Sequence, residues 1–112
     1  MPNVDEMYDQ AIELQQQGDL QSALSKLLEI VQIDPNYALA YAALSVFYSK
    51  MDEHEKAVEY ARKVCELEPD DPFSFVALSL ICQKAGLIAE AEEAMWQARQ
   101  AQVAAIQRRY SS

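Results

Sequence analysis

His54 is the only histidine in the chain, and it sits among Asp52, Glu53 and Glu55. An imidazole beside carboxylates can serve a metal ion or an acid–base relay, but either needs more groups converging from elsewhere in the fold. Three acids around one turn are also what a solvated helix start looks like, and that reading is preferred here. Cys65 and Cys82 are too few for a disulfide framework and match no metal-ligand spacing, so both are expected as reduced core thiols. The acidic runs from Glu68 to Asp71 and from Glu90 to Glu93 lack the loop spacing and turn glycine of a calcium site. Their places at helix starts and ends account for most of them. No catalytic, cofactor-binding or metal-binding residue emerges, and the expectation is a non-enzymatic chain without a cofactor.

The elements carrying these residues follow a repeat. Pro35 and Pro69 each close an acidic-flavoured segment and lie 34 residues apart, and Ala23, Ala57 and Ala91 keep the same step. A period of this length with a recurring small residue marks a stacked-repeat architecture. The 112 residues hold three such units, at 4–37, 38–71 and 72–105, in a single domain. Half of the residues are apolar, with only two glycines and four prolines, and Ala, Leu, Glu and Gln dominate, which is a helical composition.

Helix starts and stops can be read along the chain. Asn3 is an N-cap, with Glu6 placed to complete a capping box. Met7, Ala11 and Leu14 recur at helical spacing up to Gly18-Asp19. Leu20, Ala23, Leu24, Leu27, Leu28 and Val31 form the apolar stripe of a second helix, which stops before Pro35. Asn36 is expected to cap the third helix, whose buried face is marked by Tyr41, Leu44 and Tyr48. Asp52 with Glu55 reads as a further capping box ahead of Ala57, Val58, Ala61, Val64 and Leu67. Asp71-Pro72 starts the fifth helix, lined by Phe75, Leu78 and Cys82 and ended by Gly86. From Ile88 to about Tyr110 nothing stops the last helix, so it is expected to outrun its predecessors and cap the stack. Trp96 on it is expected to shield the core rather than bind a ligand.

In this order and register the residues resemble the tetratricopeptide repeat family. The second unit supplies Tyr41, Leu44, Ser45, Tyr48, Ala57, Ala61, Val64 and Pro69; the first supplies Met7, Ala11, Leu14, Gly18, Ala23, Leu27, Ile30 and Pro35. The third gives Phe75, Leu78, Ser79, Cys82, Gly86, Ala91, Met95 and Ala98. Gln10 departs where leucine is usual, suggesting looser packing of the first helix, and Val103 replaces the closing proline. The resemblance implies an all-α solenoid of three antiparallel helix pairs with an extended C-terminal capping helix. It further implies that the first helix of each pair lines a concave binding surface.

On that surface the family's positions fall on Asp5, Tyr8, Asp9, Ile12, Gln15 and Gln16, then on Leu39, Ala42, Ala43, Val46, Ser49 and Lys50. In the third repeat they fall on Phe73, Val76, Ala77, Leu80, Gln83 and Lys84. One subgroup grips a C-terminal carboxylate with cationic side chains; the matching positions here are Tyr8, Ile12, Ala43, Phe73 and Ala77, none of which can do so. What remains is an apolar strip of Tyr8, Ile12, Leu39, Val46, Phe73, Val76 and Leu80, edged by Lys50 and Lys84 at one end and by acids at the other. The expected partner is therefore an apolar or amphipathic segment of another protein or peptide.

Charge narrows the partners further. Eighteen acids against nine bases give a net charge of −9, which repels phosphate backbones and anionic lipid, so neither nucleic acid nor a membrane is expected. No apolar run is long enough to cross a bilayer, and the first residues lack the features of a signal peptide, giving a cytoplasmic expectation. All acids lie before residue 94, whereas Arg99, Arg108 and Arg109 follow it. The alternative function is thus a self-associating scaffold, with this basic end docked on Asp70, Asp71, Glu90, Glu92 and Glu93 of a neighbour.

Overall fold

The computed structural model describes residues 2–111, which form six helices: α1 (Val4–Gln16), α2 (Leu20–Ile33), α3 (Ala38–Lys50), α4 (His54–Leu67), α5 (Pro72–Lys84) and α6 (Ile88–Ser111). Each odd-numbered helix packs on its successor, and the pairs are joined through α2 against α3 and α4 against α5. In addition α3 touches α5, while α2 and α4 share no comparable contact. The layer of first helices is therefore the inner side of the curve. The result is a slab of 43 × 37 × 22 Å.

Small residues set the spacing within each pair. Ala23, Ala57 and Ala91 are at most 2 % exposed, so the facing helices approach closely and the larger Leu27, Ile30 and Leu44 fill the remaining space. Two core clusters result, one running from Met7 to Ala57 and one from Val58 to Ala94. Tyr41 ties adjacent repeats together by donating its hydroxyl hydrogen to the Pro35 carbonyl at 2.9 Å.

All three pairs turn in the same way. The amides of Asp19, Glu53 and Leu87 donate to the carbonyls of Leu14, Tyr48 and Cys82 at 2.9 Å, closing the six-residue loop that ends a helix on a left-handed residue. That residue is Gly18 at φ 86°, Asp52 at φ 60° and Gly86 at φ 80°. Asp52 is thus no part of a capping box. It stands 34 residues from each glycine and does their work, while Glu53 is the N-cap of α4 and makes no side-chain cap bond.

Asn3 Oδ1 accepts from the amides of Asp5 and Glu6 at 3.0 and 3.2 Å, though the reciprocal bond from Glu6 is not made. Asp71 accepts from the Phe73 amide at 3.0 Å ahead of Pro72. Asn36 does not cap α3. Its amide is held by Asp34 Oδ1 at 3.1 Å inside the turn, which moves the N-cap on to Tyr37. Gln10, where leucine was missing, accepts from Lys26 Nζ at 3.0 Å and bridges α1 to α2 on an exposed face.

The last helix continues past Ala101, the position equivalent to the ends of α2 and α4, and reaches Ser111. Trp96 is not the shield expected from the sequence. It is exposed, because Ala91, Ala94 and Ala98 are the α6 residues that enter the core. Leu20, expected on a buried stripe, is also exposed, since Ala23, Leu27 and Ile30 define the buried face of α2.

Candidate functional site

The inner-layer helices α3 and α5 are apolar on nearly every side, their polar residues being buried serines and the Lys50, Gln83 and Lys84 that end them. On α4 the opposite holds: Ala57, Val58, Ala61 and Cys65 point inward, and charged residues take the outer side. A helix that stays apolar on every face either lies in the interior or keeps a face for a partner. Here Tyr41, Leu44, Phe47 and Tyr48 fill the core side of α3, whereas Leu39 and Val46 remain in solvent. On α5, Leu78 and Cys82 are buried, while Leu80 is exposed and Phe73 is 79 % exposed.

Two apolar depressions open on this surface. One, of about 310 Å³, lies between α3 and α5 and is lined by Ala42, Ser45, Val46, Ser74, Ala77, Leu80 and Ile81, with Ala61 and Val64 contributed by α4. The other, of about 210 Å³, lies between α2 and α3 and is lined by Gln15, Leu20, Gln21, Leu24, Val46, Phe47, Lys50 and Met51. Val46 borders both, so the two hollows flank one side chain.

The sequence-expected residues divide accordingly. Val46, Leu80 and Lys50 line the depressions, while Leu39 and Phe73 are exposed nearer the helix starts. Tyr8, Ile12 and Val76 are half-buried. Tyr8 leans on Tyr37 with ring centroids 6.0 Å apart, and Tyr37 in turn donates to Asp5 Oδ1 at 2.6 Å, so the α1 end of the strip is partly occupied by the chain's own aromatics. Burial, and then the Asp5 carboxylate, push the Tyr37 hydroxyl up to about 12. Lys84 is exposed at the end of α5. Ser49, carried over as a surface position, is buried. Leu20, Leu24 and Met51 on one side and Ala61, Val64 and Ile81 on the other were missed as lining residues.

The groups that suggested chemistry stay apart. His54 Nε2 lies 3.8 Å from Asp52 Oδ1 in the exposed turn. Among the described residues, no three of His, Cys, Asp and Glu gather as metal ligands would. Cys65 and Cys82 are free, buried thiols, as expected. Burial pushes the Cys65 thiol up to about 11, and it donates to the Ser74 carbonyl at 3.3 Å.

A family model described as tetratricopeptide repeat matches residues 14–78. The chain belongs to the tetratricopeptide repeat family. Its fold is accordingly that of a protein-interaction module. A protein CTR9 homolog of Arabidopsis thaliana is 31 % identical over 61 residues, which is 54 % of this chain but 6 % of that protein. A crystal structure of MamA superposes with a TM-score of 0.83 at 23 % identity, over 94 % of this chain and 61 % of that one. The type III secretion translocator chaperone SycD of Yersinia enterocolitica gives 0.77 at 16 % identity, over 88 % and 74 %. The second tetratricopeptide domain of Spaghetti, bound to an HSP90 peptide, gives 0.75 at 16 % identity, over 87 % and 90 %. At these identities the likeness is one of fold. No helix among the described residues is long and apolar enough to cross a membrane.

Proposed function

We propose that this tetratricopeptide repeat chain is a non-enzymatic interaction module that takes an apolar or amphipathic segment of another protein along the inner face of α3 and α5. The observation carrying this reading is the pair of apolar depressions that meet at Val46. Side chains spaced along one face of a bound segment would enter the two hollows, and Phe73, Leu39 and Leu80 would cover its flanks. Lys50 and Lys84 at the helix ends favour an acidic residue on the segment beyond its apolar anchors. An acidic C-terminus is a poor fit as the main determinant, because Tyr8, Ile12, Ala43, Phe73 and Ala77 supply no cation.

Selection from a displayed library of random peptides tests the reading. Enrichment of apolar or amphipathic segments is expected, with binding weakened in Val46→Asp while helicity and melting are unchanged. Truncating one anchor, as in Leu80→Ala, costs roughly 1–3 kcal/mol of binding, with little dependence on salt. Enrichment of acidic C-termini, or binding indifferent to Val46→Asp, refutes it.

A further inference from the structure

The helix α6 carries Glu92, Trp96, Arg99, Val103, Ile106 and Tyr110 on one exposed face, separated alternately by four and three residues. That is the heptad spacing of a helix meant to lie against another. Its apolar members are bare: Trp96 is 55 %, Val103 49 %, Ile106 46 % and Tyr110 83 % exposed. The core-facing residues Ala91, Ala94 and Ala98 lie on another side of the same helix, so α5 leaves this face uncovered.

The face reads alike in both directions from Ala101. Arg99 and Val103 are equally far from it, as are Trp96 and Ile106, and Glu92 and Tyr110. Two copies of α6 laid antiparallel about a two-fold axis at Ala101 would therefore place Trp96 of each against Ile106 of the other, with Val103 beside the aliphatic stem of Arg99. The charges choose the same direction. Glu90, Glu92 and Glu93 lie near the start of α6, and Arg108 and Arg109 close it. Antiparallel pairing sets the acidic end of one copy level with the basic end of the other, with Glu92 on the seam and Glu93 and Arg109 at its edges, whereas parallel pairing stacks like on like.

We propose that α6 is a dimerisation seam, occupied by the α6 of a second copy in antiparallel register centred on Ala101. This surface is separate from the inner face of α3 and α5, so one chain can hold a copy of itself and a segment of another protein at once. The contact is one helix wide and near the lower end of specific interfaces, so the dimer is concentration-dependent rather than obligate.

Sedimentation velocity of the full chain over a range of concentrations tests the seam. The expected result is a monomer–dimer equilibrium, with Val103→Glu and Ile106→Glu each weakening dimerisation at least tenfold at unchanged helicity. Reversing Glu92 and Glu93 to Arg should weaken it too, and adding Arg109→Glu should restore part of the loss. A spin label at Ser111→Cys reads direction: antiparallel pairing separates the two labels by about 30 Å from the helix rise, and parallel pairing brings them side by side. A monomer throughout, a dimer indifferent to Val103→Glu, or adjacent labels overturns the proposal. So does a dimer broken by Val46→Asp, which would place the second copy in the inner depressions instead.

Discussion

Ser45 and Ser79 occupy the same place in the second and third repeats, and replacing each by alanine is expected to have unequal consequences. Ser79 is fully buried, and its hydroxyl donates to the Ala91 carbonyl at 2.8 Å, linking α5 to α6. Ser45 turns back on its own helix and donates to the Ala42 carbonyl at 2.7 Å. A hydrogen bond between elements contributes about 0.5–1.5 kcal/mol net, whereas a serine bonding back along its own helix competes with the helix and tends to bend it. Alanine also brings a few tenths of a kcal/mol in helix propensity at either site. Ser79→Ala should therefore cost about 1 kcal/mol, roughly 4 °C of melting temperature for a domain of this size, while Ser45→Ala should be neutral or stabilising by up to about 0.5 kcal/mol. The first repeat already has alanine at this position, Ala11, and buries it. Urea titrations followed by circular dichroism, with both variants in parallel, measure the difference. Equal losses, or a gain at Ser79→Ala, would show that the pair spacing and not the bridging bond decides the energy.

Three further outcomes are expected. Asp52→Gly should raise the urea midpoint by the equivalent of about 0.5 kcal/mol, because the left-handed conformation is costly for an L-residue and glycine's unfolded-chain entropy offsets only part of that gain. The exposed contact with His54 at 3.8 Å contributes little against it. Tyr37 is held above its ordinary value by burial and by Asp5, so its contribution is complete below pH 10 and is lost as the pH rises through about 12. Tyr37→Phe should cost about 1 kcal/mol at neutral pH and flatten that alkaline decline in a melting series. Cys65 and Cys82, both pushed up chiefly by burial, should resist iodoacetamide at pH 8 in the folded protein and react fully in urea; native-state labelling at the rate of a free thiol would contradict the packing of α4 on α5.

The helix pairs and their order were legible because each rests on a local rule, namely proline at a helix end, glycine in a left-handed turn, and alanine where two helices touch. Aspartate before a helix usually caps it, which suggests a capping box at Asp52, although its distance of 34 residues from Gly18 and Gly86 already carries the answer. The cap of α3 falls one residue beyond Asn36, since Asp34 takes the Asn36 amide and lengthens the turn. Residue type alone suggests that Trp96 shields the core, yet its angular distance from Ala91, Ala94 and Ala98 leaves it exposed. The walls of the two depressions were the hardest to see. Ala61 and Val64 reach the larger one from α4, and Leu20 and Leu24 reach the smaller from α2, so membership depends on how neighbouring pairs pack.

Apolar surface is costly to leave in water, and the way it is distributed here argues against accident. On α4, whose outer face has no use for it, Glu55, Lys56, Glu59, Arg62, Lys63 and Glu66 take the positions not given to the core. The same fold could have treated α3, α5 and the end of α6 likewise, since neither Val46 nor Leu80, Val103 nor Ile106 is buried by its own repeat. Apart from Ile33, Leu87 and Ile88, the exposed large apolar residues instead gather around an inner surface with hollows and along a straight seam, two shapes that suit different occupants. Val46→Asp should empty the first while leaving association intact, and Val103→Glu should do the reverse. A single substitution that abolished both would mean that the two surfaces serve one assembly.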